Sequence, residues 1–143
     1  MTYSVIIAAA AKAAKVSSVL LYAICQYESR DFSVDYSKYD NGSPSYSVCQ
    51  VKEDTARMLG FKGKASELRN AKVGIKYAAL YLRYQEDRYG DDWCKITAAY
   101  NAGSFNESKK LPGKPRNLKY VRRVQKQLDD EYKSKLSCET NGN

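Results

Sequence analysis

Apolar residues recur at three- and four-residue spacing through nearly the whole chain, and no stretch alternates apolar and polar residues for long. That pattern restricts the fold to packed helices. The spacing predicts a first helix over about Tyr3 to Lys15, then a second, capped by Ser17 or Ser18, reaching about Ser29. From Arg30 to Ser47 the periodicity lapses into an irregular lobe rich in Asp, Ser, Asn and Gly, with room for a short hairpin. A third helix is expected over about Val51 to Leu59, stopped by Gly60. Asn70 can cap the next, whose inner stripe is Ile75, Ala78, Ala79 and Leu82, with Gly90 at its end. Asp91 or Asp92 then caps "WCKITAAYNA", closed by Gly103, and a loop leads to a last helix from near Asn117 with Leu118, Val121, Val124 and Leu128 inward. The 143 residues amount to one mainly α domain over residues 1–136 with an irregular lobe, followed by a polar tail, 137–143, expected to be disordered.

Within that frame one residue is out of place. Leu20, Ile24 and Glu28 are spaced four apart, with Ala23 and Tyr27 beside them, so a glutamate shares the apolar face of the second helix. Partly apolar surroundings disfavour a carboxylate and raise its pKa, leaving an acid able to give up a proton near neutral pH. Taken alone, Glu28 fits a loop cap or an ion pair with Arg30 equally well.

Composition narrows the chemistry. The chain has no histidine, which excludes a Ser-His-Asp triad, a Cys-His peptidase and the usual zinc hydrolase site. Acid–base work falls to carboxylates, Tyr, Lys or Cys. Cys25, Cys49, Cys94 and Cys138 form no CxxC pair, so no metal is expected. They read as reduced, partly buried thiols, with disulfides the alternative in an oxidising compartment. A net charge of +8 suits an anionic partner. The opening "MTYSVIIAAAAKAAK" lacks a basic flank and is interrupted by Lys12 and Lys15, so it reads as a helix, not an export signal or a membrane span.

Two further segments carry polar groups suited to a site. Gln50 in "SYSVCQV" can donate and accept at once, as an N-acetyl group or sugar hydroxyl requires. In "AAYNAG" the Tyr100 hydroxyl needs a partner, and Asn101 and Gly103 give a tight helix stop. Singly these are a solvated glutamine and a helix cap. In order, Glu28-Ser29, then Ser47-Val48-Cys49-Gln50, then Ala99-Tyr100-Asn101-Ala102-Gly103 resemble the soluble lytic transglycosylase family, of lysozyme-like fold and related to goose-type lysozyme. The resemblance extends from about Val16 to Val124 and includes "GIKYAALYL".

The resemblance implies an enzyme acting on peptidoglycan glycan strands. Glu28 and Tyr100 are its catalytic residues, and Ser29, Ser47, Gln50 and Asn101 its substrate-binding positions. No cofactor, nucleic acid or membrane insertion is implied, and a monomer is expected. In the family the glutamate protonates the bond between N-acetylmuramic acid and N-acetylglucosamine, then helps the muramic C6 hydroxyl attack C1, giving a 1,6-anhydro sugar. Lacking an export signal, the chain would be made in the cytoplasm and delivered to the wall, as a phage lysin or virion-carried enzyme is. The chain departs from the pattern in three places, one being the lobe from Asp31 to Tyr46, which is longer than usual and lacks the common Gly-Ala. Two residues, Arg30 and Asp31, precede Phe32 where the family has one, and Ser47 replaces a glycine, a strained choice if that position needs a positive φ.

Three alternatives stay open. A muramidase would need a second carboxylate to activate water; of Asp31, Asp35 and Asp40, Asp40 ranks first, although a turn-stabilising role in "YDNG" suits it as well. A basic nucleic-acid-binding protein would use Lys119, Arg122, Arg123 and Lys126 on the last helix, which equally describe a solvated face. A non-catalytic wall-binding domain would have no need to retain Glu28, Gln50 and Tyr100.

Overall fold

A computed structural model describes residues 2–139. They form a mainly helical chain with one small antiparallel sheet. The residues group into two compact units, one ending at Arg83 and the other beginning at Tyr84.

The first unit opens with α1 (Tyr3–Ala14) and α2 (Ser18–Glu28), which pack together. Ile6, Ile7, Ala11 and Ala14 of α1 are buried, as are Leu20, Leu21, Ala23, Ile24 and Cys25 of α2. Of the two caps the sequence offered, Ser17 is the one used, its Oγ accepting from the Leu20 N–H at 3.1 Å. Phe32 anchors the start of the lobe, its ring stacked 5.5 Å from Tyr3 and tilted 5.1 Å from Tyr22.

The lobe holds a hairpin. β1 (Tyr36–Asp40) and β2 (Ser43–Tyr46) pair antiparallel around Asn41 and Gly42, both with positive φ, the conformation a tight hairpin turn requires. β3 (Val51–Lys52) pairs with β2, so Val51 and Lys52 belong to the sheet and not to the helix expected from Val51. The physical reason is pairing: Tyr46 and Ser45 lie opposite them, and a β-branched valine suits the pleat. Burial raises the Tyr46 phenol above its ordinary pKa, with Tyr36 and Glu53 acting the same way against Arg69. The helix proper, α3 (Glu53–Met58), starts with two acidic residues and is closed by Gly60 at φ 105°, after which the Phe61 N–H donates to the Ala56 carbonyl at 3.0 Å.

A short 3-10 helix (Ala65–Arg69), not expected from the sequence, buries Leu68 and precedes α4 (Ala71–Tyr89). Asn70 caps α4, accepting from the Lys72 and Val73 N–H groups, and the stripe of Ile75, Ala78, Ala79 and Leu82 is buried as its spacing requires.

In the second unit Asp92 caps α5 (Trp93–Ala102) through the Lys95 N–H at 3.0 Å. α5 packs against α6 (Leu118–Gln127), whose Leu118, Tyr120, Val121 and Val124 are buried, as is Leu128 beyond it. A further short helix, α7 (Asp130–Lys133), follows.

The cysteines correct an expectation. They are not free thiols: Cys25 bonds to Cys49 and Cys94 to Cys138. The folded backbone brings the Cα atoms of each pair to 4.1 and 5.1 Å, which the sequence spacing could not disclose. The tail expected to be disordered from 137 is therefore tied down at Cys138, with Leu136 buried just before it; residues 140–143 lie outside the described residues.

Candidate active site

Glu28 is the last residue of α2, and Ser29 ends the helix from beneath it. Ser29 is 0% exposed. Its hydroxyl donates to the Cys25 carbonyl at 2.7 Å and accepts from the Phe32 N–H at 2.7 Å. These two bonds are made inside the fold, so Ser29 holds the helix end. Arg30, Asp31 and Phe32 then follow with φ of 50°, 59° and 63°, a left-handed turn closed by the Ser33 N–H on the Ser29 carbonyl at 2.9 Å. The extra residue between Ser29 and the aromatic is absorbed in that turn.

Gln50 arrives from another direction. It ends the tight turn that joins β2 to β3, and both its N–H and its side-chain amide donate to the Ser47 carbonyl, at 3.1 and 2.8 Å. The turn has φ of 64° at Ser47 and 54° at Gln50. The positive φ that would strain a serine is thus present. Ser47 itself is 1% exposed, its hydroxyl has no partner, and it packs against Gly74 of α4, where a Cβ would lie 2.5 Å from the Ser47 Cβ. Gly74 is what makes room for the turn. Ser47, like Ser29, is buried and is not among the residues that line the cleft shared by Glu28 and Gln50.

Glu28, Gln50 and Asp40 line one cleft of about 420 Å³. The sequence reading did not name its other walls, which include Arg30, Val34, Ser37 and Tyr39. Tyr39 is 80% exposed beside Lys38, whose ammonium stands 5.4 Å from the ring centre. Irregular lobes hide such residues, since no periodicity marks which side chain faces a groove; an exposed tyrosine in a polar hairpin was the available signal. Asp40 is already engaged. Its Oδ2 accepts from the Ser45 hydroxyl at 2.7 Å and lies 4.0 Å from the Lys52 ammonium, which also donates to the Asp40 and Ser43 carbonyls. It braces the hairpin from the cleft's edge.

The other pair of expected site residues ends α5 in the second unit. Tyr100 is buried, and Asn101 is exposed, its Oδ1 accepting from the Asn117 amide at 2.9 Å. Gly103 closes the helix at φ 90°. Two residues that the sequence reading missed complete this end. Gln85 of α4 is 0% exposed and donates to the Ala99 and Gly103 carbonyls, at 3.3 and 3.1 Å. Arg88 donates to the Gln85 Oε1 at 2.8 Å, the Gly103 carbonyl at 2.7 Å and the Ser104 hydroxyl at 2.7 Å. A signal for Gln85 existed: it continues the stripe of Ile75, Ala78 and Leu82, where an amide is out of character.

Among the described residues no cluster of His, Cys, Asp or Glu could hold a metal ion, and no helix is long and apolar enough to cross a membrane. The basic residues of α6, Lys119, Arg122, Arg123 and Lys126, are exposed on the side away from its buried stripe.

Comparison with known proteins agrees with the motif reading. Residues 5–123 match the family model described as the transglycosylase SLT domain. Among solved structures, an inactive mutant of the lytic transglycosylase Slt from Pseudomonas aeruginosa superposes with a TM-score of 0.60 at 19% identity, over 91% of this chain and 21% of that one. The chain therefore spans about a fifth of that protein's length. No curated protein matches it by sequence.

Proposed function

Because the chain belongs to the transglycosylase SLT domain family, we propose that it cleaves the β-1,4 bond between N-acetylmuramic acid and N-acetylglucosamine in peptidoglycan strands. The observation that carries the reading is one cleft lined by Glu28, Gln50 and Asp40. Glu28, as the carboxylic acid, gives its proton to the glycosidic oxygen while the bond from that oxygen to the muramic C1 breaks. The muramic N-acetyl group stabilises the cation left at C1. The Glu28 carboxylate then takes the proton of the C6 hydroxyl as O6 bonds to C1, so no water is consumed and the acid is regenerated. Gln50 holds the substrate through an amide already oriented on the Ser47 carbonyl. The resemblance gives Tyr100 and Asn101 parts in the same chemistry.

Asp40 decides between this reading and a muramidase. Its Oδ2 accepts from the Ser45 hydroxyl and lies 4.0 Å from the Lys52 ammonium, so the carboxylate is already tied into the hairpin. That supports single-acid chemistry. The paired cysteines support work outside a reducing compartment, at the wall, after delivery as a lysin.

The test is mass spectrometry of fragments released from purified peptidoglycan. Anhydromuropeptides, lighter by one water than hydrolysis products, are expected. Glu28→Gln, which keeps the shape but has no proton to give, should lower the rate by roughly a hundred- to ten-thousand-fold, with Tyr100→Phe and Gln50→Ala less damaging. Reducing-end fragments whose release stops in Asp40→Asn would instead establish a muramidase.

A further inference from the structure

The two elements that bring Glu28 and Gln50 to the cleft are joined by a covalent bond. Cys25 lies one helical turn before Glu28, and its carbonyl receives both the N–H and the hydroxyl of Ser29. Cys49 immediately precedes Gln50. Both cysteines are 0% exposed, and their disulfide ties the last turn of α2 to the 47–50 turn. That turn is a costly conformation. Two non-glycine residues stand at positive φ, and the buried Ser47 hydroxyl has no partner. A conformation of this kind persists only where its surroundings over-determine it. The disulfide is the strongest such constraint among the described residues at this turn, and it acts directly between the two site-bearing segments.

We propose that the Cys25–Cys49 disulfide is a redox-dependent positioning device for the cleft, so that a chain folded with these cysteines as thiols is latent and bond formation turns it on. The inference rests on the reading of Glu28 and Gln50 as the working residues. Activation is a thiol–disulfide exchange with a disulfide-bearing oxidant. The two thiols lose two protons and two electrons, one S–S bond forms in the protein, and the oxidant's S–S bond breaks to give two thiols. With the bond open, Ser47 and Gln50 relax toward negative φ, and the Gln50 amide leaves its bond to the Ser47 carbonyl.

The test compares Cys25→Ala/Cys49→Ala with Cys94→Ala/Cys138→Ala, whose bond ties the C-terminal segment of the second unit. Both are assayed well below their melting temperatures on purified peptidoglycan. The first double variant is expected to lose at least tenfold in kcat, with a raised KM and a displaced pH–rate profile. The second should stay within twofold of wild type with an unchanged profile. Adding Ser47→Gly to the first should recover activity several-fold, since glycine adopts the turn without the constraint. If the first double variant does not fold, the wild-type chain reduced in place with a water-soluble phosphine, its thiols counted, replaces it: activity should fall as the Cys25 and Cys49 thiols appear. A folded variant, or a fully reduced chain, that works within twofold of the oxidised wild type with the same pH profile overturns the inference alone. An oxidised wild-type chain that releases nothing from peptidoglycan overturns the activity reading, and this inference with it.

Discussion

The chain ends two helices at residues it is expected to use, and it ends them by opposite means. α2 stops at Glu28 with contacts made by its own neighbours: Ser29 folds back on Cys25 and forward to Phe32, and three successive non-glycine residues take the left-handed turn that follows. α5 stops beyond Tyr100 and Asn101 at a glycine, and its free carbonyls are satisfied by side chains from α4, a buried Gln85 backed by Arg88. The first end is costly in backbone conformation and held by near neighbours, with the disulfide beside it. The second is cheap in backbone and held by distant residues. Changes at the first should therefore disturb the cleft more than the stability, and changes at the second the reverse.

The largest stability effect should come from Gln85→Leu. The amide is buried and serves two carbonyls; with an apolar side chain there, the Ala99 carbonyl keeps the Gly103 N–H, the Gly103 carbonyl keeps Arg88, and Arg88 loses the Gln85 Oε1. A loss of about 2–3 kcal/mol is expected for three lost hydrogen bonds, one of them to the charged Arg88. Urea unfolding should show a lower midpoint at an unchanged m-value. Little loss would mean that the glycine end stands without imported support.

Ser29→Ala comes next. It removes one bond to the Cys25 carbonyl and one from the Phe32 N–H, for about 1–2 kcal/mol. The two ends separate here in kind: this milder variant should lose several-fold in wall cleavage measured far below its melting temperature, while Gln85→Leu should retain most of its rate there. Equal ratios of activity loss to stability loss in the two variants would dissolve the contrast.

How far these ends were legible in the sequence follows the same division. Ser17, Asn70, Asp92, Gly60 and Gly103 act within a turn of their own positions, and local rules of capping found each of them. The inner stripes of α4 and α6 followed from spacing. What failed was whatever depends on a partner remote in sequence: which cysteines pair, that Val51 and Lys52 join a sheet, and that Gln85 reaches the end of α5. The left-handed turn at Arg30 to Phe32 failed for another reason, since none of these residues announces a positive φ as glycine does. Of the expected site, Glu28, Gln50 and Asp40 meet in one cleft, while Ser29 and Ser47 are buried and do not line it, because a motif records that a residue is needed and not whether it touches the ligand.

Gly103→Ala tests the cheap backbone directly. No atom lies within 4 Å of an added Cβ, so the effect is conformational alone. At φ 90° an alanine is strained, and a destabilisation of about 1 kcal/mol is expected, read as a fall of roughly 3–4 °C in melting temperature.

The smallest effect should be the mirror experiment on the other end, Asp31→Gly. Asp31 stands at φ 59°, where glycine removes strain worth about 1 kcal/mol. Aspartate tolerates this region better than most residues, so the gain lies at the low end of that range. Against it stands the loss of one exposed hydrogen bond, Gln26 Nε2 to Asp31 Oδ1 at 3.0 Å, worth about 0.5 kcal/mol. The backbone bond from the Asp31 N–H to the Gln26 carbonyl, at 2.8 Å, survives the change. The two terms nearly cancel, and a net shift within about 0.5 kcal/mol is expected in urea unfolding. A clear stabilisation would mean that the left-handed turn carries more strain than its neighbours offset. A clear loss would mean that the Gln26 contact, and not the backbone, keeps the turn below Glu28 in place.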